Sequence, residues 1–499
     1  IDGESEGAAF LHLGAKAYTS PALPLTDTYI RFQPGTVIVE EADVGFSLFT
    51  PRDRTLLEVL DEIERLEKDP TVRGIVIENE NFITGRAAYL ELIDALNQFR
   101  SSGKKVVYYY ENISLWNYIL AASTGDAIYL NRLGSVDLRG IGSTRLYFGA
   151  LLEEFGIRVH NIRSHPFKSG ANTVSEANMT KEEREMLEYL YEGIWEEVLK
   201  LIRGGRGGKL KGDIEEIVSE GPYLISGEAL SAGLVDGIIY ADELTEKLKE
   251  FDKHPVITDG YFLPPFRRDW SDPYTNQIAL IYAVGNILPG RGTPGLSTGS
   301  ESISASIREA RENPFVKALL IRIDSGGGSS LASDVIAREI RLTVEEGKAV
   351  VVSMAGTAAS GGYYIAAGAD RIIASPVSVT GSIGVFAAFP ELSGLLEKYR
   401  IGSDSVGTSG NADFANPFRR LEAAEKEKIE EVIERTYDLF IEVVAEGRDM
   451  EKEEVDKVAR GRVWSGSQAM ERGLVDQLGG LRDALAAAVE EAGYSVVSA

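Results

Sequence analysis

Apolar residues along this chain fall into two recurring patterns, and the second half shows them most clearly. The runs Val316–Ile323, Ala349–Met354 and Arg371–Ala374 are short and largely apolar, as buried strands require. Between and before them, Ile303–Glu312, Leu331–Glu345 and Gly361–Ala369 carry apolar residues at helical spacing. Strands alternating with amphipathic helices predict a parallel sheet with helical crossovers. Two longer amphipathic stretches, Lys181–Ile202 and Glu422–Glu446, predict a closing helix in each half.

The halves repeat one another. Asp69-Pro70-Thr71-Val72-Arg73 matches Asn313-Pro314-Phe315-Val316-Lys317, and Gly103-Lys104-Lys105-Val106-Val107 matches Gly347-Lys348-Ala349-Val350-Val351, both at an offset of 244. Further on, Ile225-Ser226-Gly227-Glu228-Ala229 matches Trp464-Ser465-Gly466-Ser467-Gln468 at 239, and Ala232-Gly233-Leu234-Val235-Asp236 matches Arg472-Gly473-Leu474-Val475-Asp476 at 240. Four patches in one order, at a period too long for a solenoid, indicate a duplicated domain. The expected division is 1–240, a proline-rich connection over 241–276, and 277–499. The Gly/Pro-rich stretch Gly285–Ser300 is expected to be a loop.

Composition narrows the chemistry. With 499 residues, each half can bury a sizeable core. A net charge of −25 argues against nucleic acid as a partner, because little here would neutralise phosphates. Zero cysteines exclude disulfides and thiolate catalysis, and the four histidines show no metal-ligand spacing, so no cofactor or metal is expected. No run approaches the ~18 apolar residues of a membrane helix. The chain starts at Ile1 without a methionine, so a processed form is expected, with any membrane anchor lying outside it.

The candidate chemistry sits where the halves differ. Ser360-Gly361-Gly362 follows a buried strand and opens a helix, where unpaired N–H groups can stabilise an oxyanion. An ordinary serine cap is the commonplace alternative. At the 244 offset the first copy has Trp116 in place of Ser360. Conversely, Ser164-His165-Pro166-Phe167-Lys168-Ser169-Gly170 in the first copy has no lysine in the corresponding stretch Gly402–Phe418. A serine needs a base, and a lysine amine can serve if burial lowers its pKa. Complementary halves suggest one composite site. The run Gly326-Gly327-Gly328 is a poor phosphate cradle, because no Lys-Ser/Thr follows it.

Asp324-Ser325-Gly326-Gly327-Gly328-Ser329, Met354 through Tyr364, Thr380-Gly381-Ser382-Ile383-Gly384-Val385 and the Lys168 segment together resemble the signal peptide peptidase A family in its long, tandem-repeat form. Gly326 stands where that family usually carries a proline. The resemblance implies two Clp-protease/crotonase-like α/β domains and a serine endopeptidase acting on residual signal peptides and other unfolded apolar peptides. It implies Ser360 as nucleophile, Lys168 as general base, Ser382 as the residue orienting the lysine, and the N–H groups of Gly327 and Gly361 as oxyanion hole. It also implies a homotetramer at the outward face of a cell membrane, or at a thylakoid membrane. A crotonase-like acyl-CoA hydratase or hydrolase, or an inactive scaffold, would share the fold. Tyr363, Tyr364 and Phe386 lie near the serine in sequence, so an apolar substrate groove is expected.

Overall fold

The computed structural model describes residues 8–12 (backbone only), 27–42, 53–79, 81–259 and 276–494. Two mainly parallel sheets carry the chain. The first has six strands, in spatial order Pro255–Asp259, Asp27–Arg31, Val72–Glu78, Lys105–Ile113, Ala127–Val136 and Gly237–Ile238. The second runs Ala8–His12, Gln277–Val284, Val316–Ser325, Ala349–Ala359, Arg371–Ala374 and Gln477–Leu478. In that sheet Val379–Gly381 and Val463–Ser465 branch from the end of the Ala349–Ala359 strand. The Val316–Ser325 strand is buried at eight of its ten positions, as a sheet covered by helices on both faces demands. The predicted helices appear as Ser300–Glu312, Ser330–Glu345 and Gly361–Ala366, and the closing helices as Lys181–Arg206 and Ala423–Arg448.

The duplication is carried by repeated polar contacts as well as by the sheets. The Asp69 carboxylate accepts from Thr71 N–H at 2.8 Å, and the side-chain oxygen of Asn313 accepts from Phe315 N–H at 2.9 Å. Lys104 reaches into the carbonyl end of the Leu56–Lys68 helix, at Leu66 and Asp69, and Lys348 into that of the Ser300–Glu312 helix, at Ala310, Arg311 and Asn313. Tyr118 and Tyr363, both fully buried, donate their hydroxyls to Leu234 and Leu474 carbonyls. This tyrosine pair sets the local offset at 245, so Leu115 stands opposite Ser360 and Trp116 opposite Gly361. The first copy lacks the serine under either alignment.

Three expectations change. Residues 241–259, read as connection, belong to the first domain: Leu244 and Leu248 bury their side chains beside Tyr29 and Val107, and Pro255–Asp259 is an edge strand. The remainder of that stretch lies outside the described residues. The Ala8–His12 strand pairs antiparallel with Gln277–Val284, so the chain's start completes the second sheet. The stretch Gly285–Ser300 contains a short parallel strand pair, Asn286–Leu288 with Ser297–Gly299.

The domains are bonded to one another. Arg158–Arg163 of the first pairs antiparallel with Phe386–Glu391 of the second. Arg322, fully buried in the second sheet, lies 2.9 Å from Glu40 and 2.6 Å from Glu91 of the first domain. Burial alone would pull the Arg322 pKa down, but the two carboxylates hold it above the usual arginine range. Glu91 also accepts the Leu481 N–H at 2.7 Å, which fixes the last helix.

Candidate active site

Ser360 joins the Ala349–Ala359 strand to the Gly361–Ala366 helix with φ 54° and ψ −120°, a backbone state that L residues seldom adopt. Surrounding bonds hold it there: Ser360 N–H donates to Gly381 O at 2.8 Å, and Tyr364 N–H donates to Ser360 O at 2.9 Å. Strain of this kind persists only where neighbours over-determine it, and it clusters at functional sites. Ser382 shares the feature with φ 52°, held by its N–H to Arg462 O.

The lysine arrives from the other half. Past the inter-domain strand pair, Ser164 N–H donates to Val385 O at 2.9 Å and Val385 N–H donates to Ser164 Oγ at 3.1 Å. This zips the lysine segment onto the second domain. Lys168 Nζ then lies 2.9 Å from Ser360 Oγ, 2.7 Å from Ser382 O and 2.9 Å from Ser382 Oγ. Its side chain is 4% exposed, and burial brings its pKa from 10.5 down to about 7. A neutral amine has two N–H donors and one lone pair. The Ser382 carbonyl can only accept, so it takes one N–H. Ser382 Oγ can take the second, which leaves the lone pair to accept the Ser360 hydroxyl proton.

The desolvation of Lys168 comes from more than its neighbours in sequence, because the second domain closes over it. Gly461, with φ +82°, passes so close that an added Cβ would come 2.5 Å from Lys168 N, and one at Gly384 would meet the lysine stem at 3.2 Å. Sequence reasoning misses both glycines as site residues. Gly461 lies 293 positions from the lysine, and only the duplicated topology brings them together.

The glycine run packs against the serine, with one revision. Gly327 has φ +93°, and a Cβ there would sit 2.4 Å from Gly361 N and 2.9 Å from Ser360 Cβ. Its N–H, however, already donates to Ser325 Oγ at 3.1 Å. The next residue is free to act: Ile287 N–H donates to Gly327 O and Ser329 N–H to Ile287 O, so the Gly328 N–H faces away from that strand. Gly328 N lies 3.3 Å from where a Gly361 Cβ would be. Gly361 opens its helix, so its own N–H has no intrahelical acceptor.

Two of the three aromatic residues expected to wall a groove do not. Tyr363 and Tyr364 are core residues, bonded through their hydroxyls to Leu474 O and Asp334. Phe386 is 39% exposed and covers Gly170, two residues past the lysine.

A strained serine, a buried lysine beside it and backbone donors at a helix start are the parts from which a serine hydrolase is built. Comparison with known proteins agrees with that class. A profile of Peptidase family S49 matches residues 98–254 and 343–495, one region in each repeat. The chain is 32% identical over 451 residues to Protease 4 of Haemophilus influenzae, covering 87% of this chain and 72% of that one. It is 33% identical over 450 residues to Protease 4 of Salmonella typhi, covering 88% and 72%. It is 33% identical over 435 residues to the chloroplastic serine protease SPPA of Arabidopsis thaliana, covering 85% and 64%. A solved chain of a ClpP1 point mutant from Listeria monocytogenes is 19% identical, with a TM-score of 0.28, covering 41% of this chain and 94% of that one. The chain belongs to Peptidase family S49. It is a serine-type peptidase built from two α/β domains with mainly parallel sheets.

Proposed function

We propose that the chain is a serine–lysine endopeptidase in which Ser360 is the nucleophile and Lys168 the general base. The observation that carries this reading is the 2.9 Å approach of a 4%-exposed lysine to a strained serine, each from a different repeat. Lys168 Nζ takes the Ser360 proton as Oγ forms a bond to the substrate carbonyl carbon. The carbonyl oxygen, now an oxyanion, is received by the N–H groups of Gly361 and Gly328, with Gly328 taking the part that the family resemblance implies for Gly327. Collapse breaks the C–N bond, and Lys168 returns its proton to the leaving amine. A water then attacks the acyl-enzyme with Lys168 again as base, and Ser360 regains its proton. Ser382 holds the amine with its carbonyl and hydroxyl.

The substrates on this reading are residual signal peptides and other unfolded apolar peptides. We also propose a membrane-associated homotetramer on the outward or thylakoid face, anchored through a segment outside this chain. No helix among the described residues is long and apolar enough to cross a membrane. Self-association is supported by exposed apolar residues beside the inter-domain strand pair, among them Phe148, Leu151, Phe155, Tyr399 and Ile401.

The test is active-site labelling with a fluorophosphonate, together with a mutant set. Label should appear on Ser360, and Ser360→Ala and Lys168→Ala should each abolish cleavage while oligomer size is kept. The double variant should be no worse than either single one, since the two residues act as one unit. Full activity in Lys168→Ala would refute the assignment.

A further inference from the structure

The first repeat lacks the serine but keeps a hollow in the corresponding place. A cavity of about 600 Å³ opens over Leu115 and Trp116, the residues opposite Ser360 and Gly361, and Arg86, Asp137, Arg139 and Tyr191 complete its principal walls. Asp137 and Arg139 correspond at the 244 offset to Gly381 and Ile383, beside Ser382, so this is the degenerate counterpart of the catalytic site. Duplication alone explains the hollow. It does not explain the side chains that now line it.

Arg86 is the feature that asks for a ligand. It is half-buried, and among the described residues it has no hydrogen-bond or ion-pair partner. Burial works against its charge, and no carboxylate compensates. It is also the first residue of the Arg86–Ser101 helix, where the helix dipole disfavours a cation, so helix stability does not account for it. The acid in the cavity, Asp137, is already engaged by Arg139 at 2.8 Å. Beside Arg86 stand aromatic surfaces: Trp116 stacks on Tyr89 at 5.7 Å, and Tyr191 is fixed by its hydroxyl to Ser143 Oγ at 2.7 Å. In a chain of net charge −25, an unpaired guanidinium between aromatic walls selects an anionic group joined to an apolar body.

We propose that this cavity binds the C-terminal carboxylate of an apolar peptide, the end that peptide-bond hydrolysis creates. Arg86 grips the carboxylate through its planar fork, and the terminal side chain lies against Trp116. The choice of a peptide over another amphipathic anion rests on the peptidase assignment. The first repeat is then a holding site for fragments rather than a spent copy of the catalytic one.

The experiment uses the full chain carrying Ser360→Ala, so that nothing is cleaved, and a labelled Leu/Ala-rich peptide as either free acid or amide. Fluorescence anisotropy should show the acid binding at least roughly tenfold more tightly than the amide, the scale of one charge-assisted hydrogen bond. Arg86→Gln should erase that difference, and Trp116→Ala should weaken both forms. Arg86→Lys keeps the charge without the fork, and should leave an intermediate difference. Equal binding of acid and amide, or a difference that survives Arg86→Gln in a protein with an unchanged melting curve, overturns the proposal. So does acetate competing as well as the peptide, which would mark a bare anion site. None of these outcomes touches the loss of cleavage in Ser360→Ala, so this inference and the dyad assignment fail separately.

Discussion

Replacing Lys168 by methionine should stop catalysis and stabilise the protein at neutral pH. Lysine ionises near 10.5 in water, and burial brings Lys168 to about 7. Between those values the unfolded chain holds a proton that the folded chain lacks, so the lysine makes stability rise with pH across that window. At 1.36 kcal/mol per pH unit, the folded state carries a handicap on the order of 4 kcal/mol at pH 7, which fades by about pH 10.5. Methionine preserves the unbranched stem that runs past Gly384 and Gly461 and carries no charge to desolvate. It leaves the Ser382 carbonyl without its donor, a cost of about 1–3 kcal/mol that does not vary with pH. Chemical denaturation of both proteins from pH 6.5 to 10.5 separates the two effects. The variant's advantage over the parent should shrink by about 4 kcal/mol from pH 7 to 10.5. Parallel stability curves would show that Lys168 ionises as an ordinary surface lysine, and the general-base argument would fall with them.

Four further outcomes are expected. The pH profile of kcat/KM on a leucine-rich peptide should rise tenfold per unit below about pH 7 and level off above it, following one ionisation; a profile flat from pH 5 to 8 would contradict the lysine base. Gly461→Ala forces a Cβ against the Lys168 backbone and a strained φ, so kcat should fall by about a hundredfold with KM little changed, as steady-state kinetics will report. Ser325→Ala removes the acceptor of the Gly327 N–H and the donor to Gly285 O, which should lower kcat by roughly tenfold at a stability cost of about 1–3 kcal/mol. Arg322→Met leaves Glu40 and Glu91 buried without their cation, and urea denaturation should show a loss of about 3–5 kcal/mol, reduced when Glu91→Gln is added.

Much of this architecture was legible because the repeat is written in residues that make specific bonds. Asp69 and Asn313 are turn acceptors, and Lys104 and Lys348 close helix ends, so their spacing had to survive duplication for either half to fold. Ser360 and Lys168 could be singled out because each breaks the symmetry between the halves. Contacts between distant segments were not legible. Gly461 reads as an ordinary turn glycine until the second domain is folded around Lys168. The Gly327 N–H looked available because a sequence does not show that Ser325 Oγ turns toward it. Tyr363 and Tyr364 look substrate-facing in sequence because proximity along the chain says nothing of the face a helix presents. The 241–259 stretch reads as part of a connection because prolines punctuate 241–276, yet Leu244 and Leu248 suffice to anchor it.

The strand pair between Arg158–Arg163 and Phe386–Glu391 has a consequence for the order of events during synthesis. Lys168 leaves the ribosome nearly two hundred residues ahead of Ser360, attached to a segment with nothing yet to cover it. In that interval it is solvated, charged and chemically inert. On the proposed mechanism, its amine becomes neutral near pH 7, and so able to accept a proton, only when the second domain docks and Gly384 and Gly461 close over it. On that mechanism the nascent chain is its own safeguard, because hydrolytic competence follows the docking of the second domain on the first.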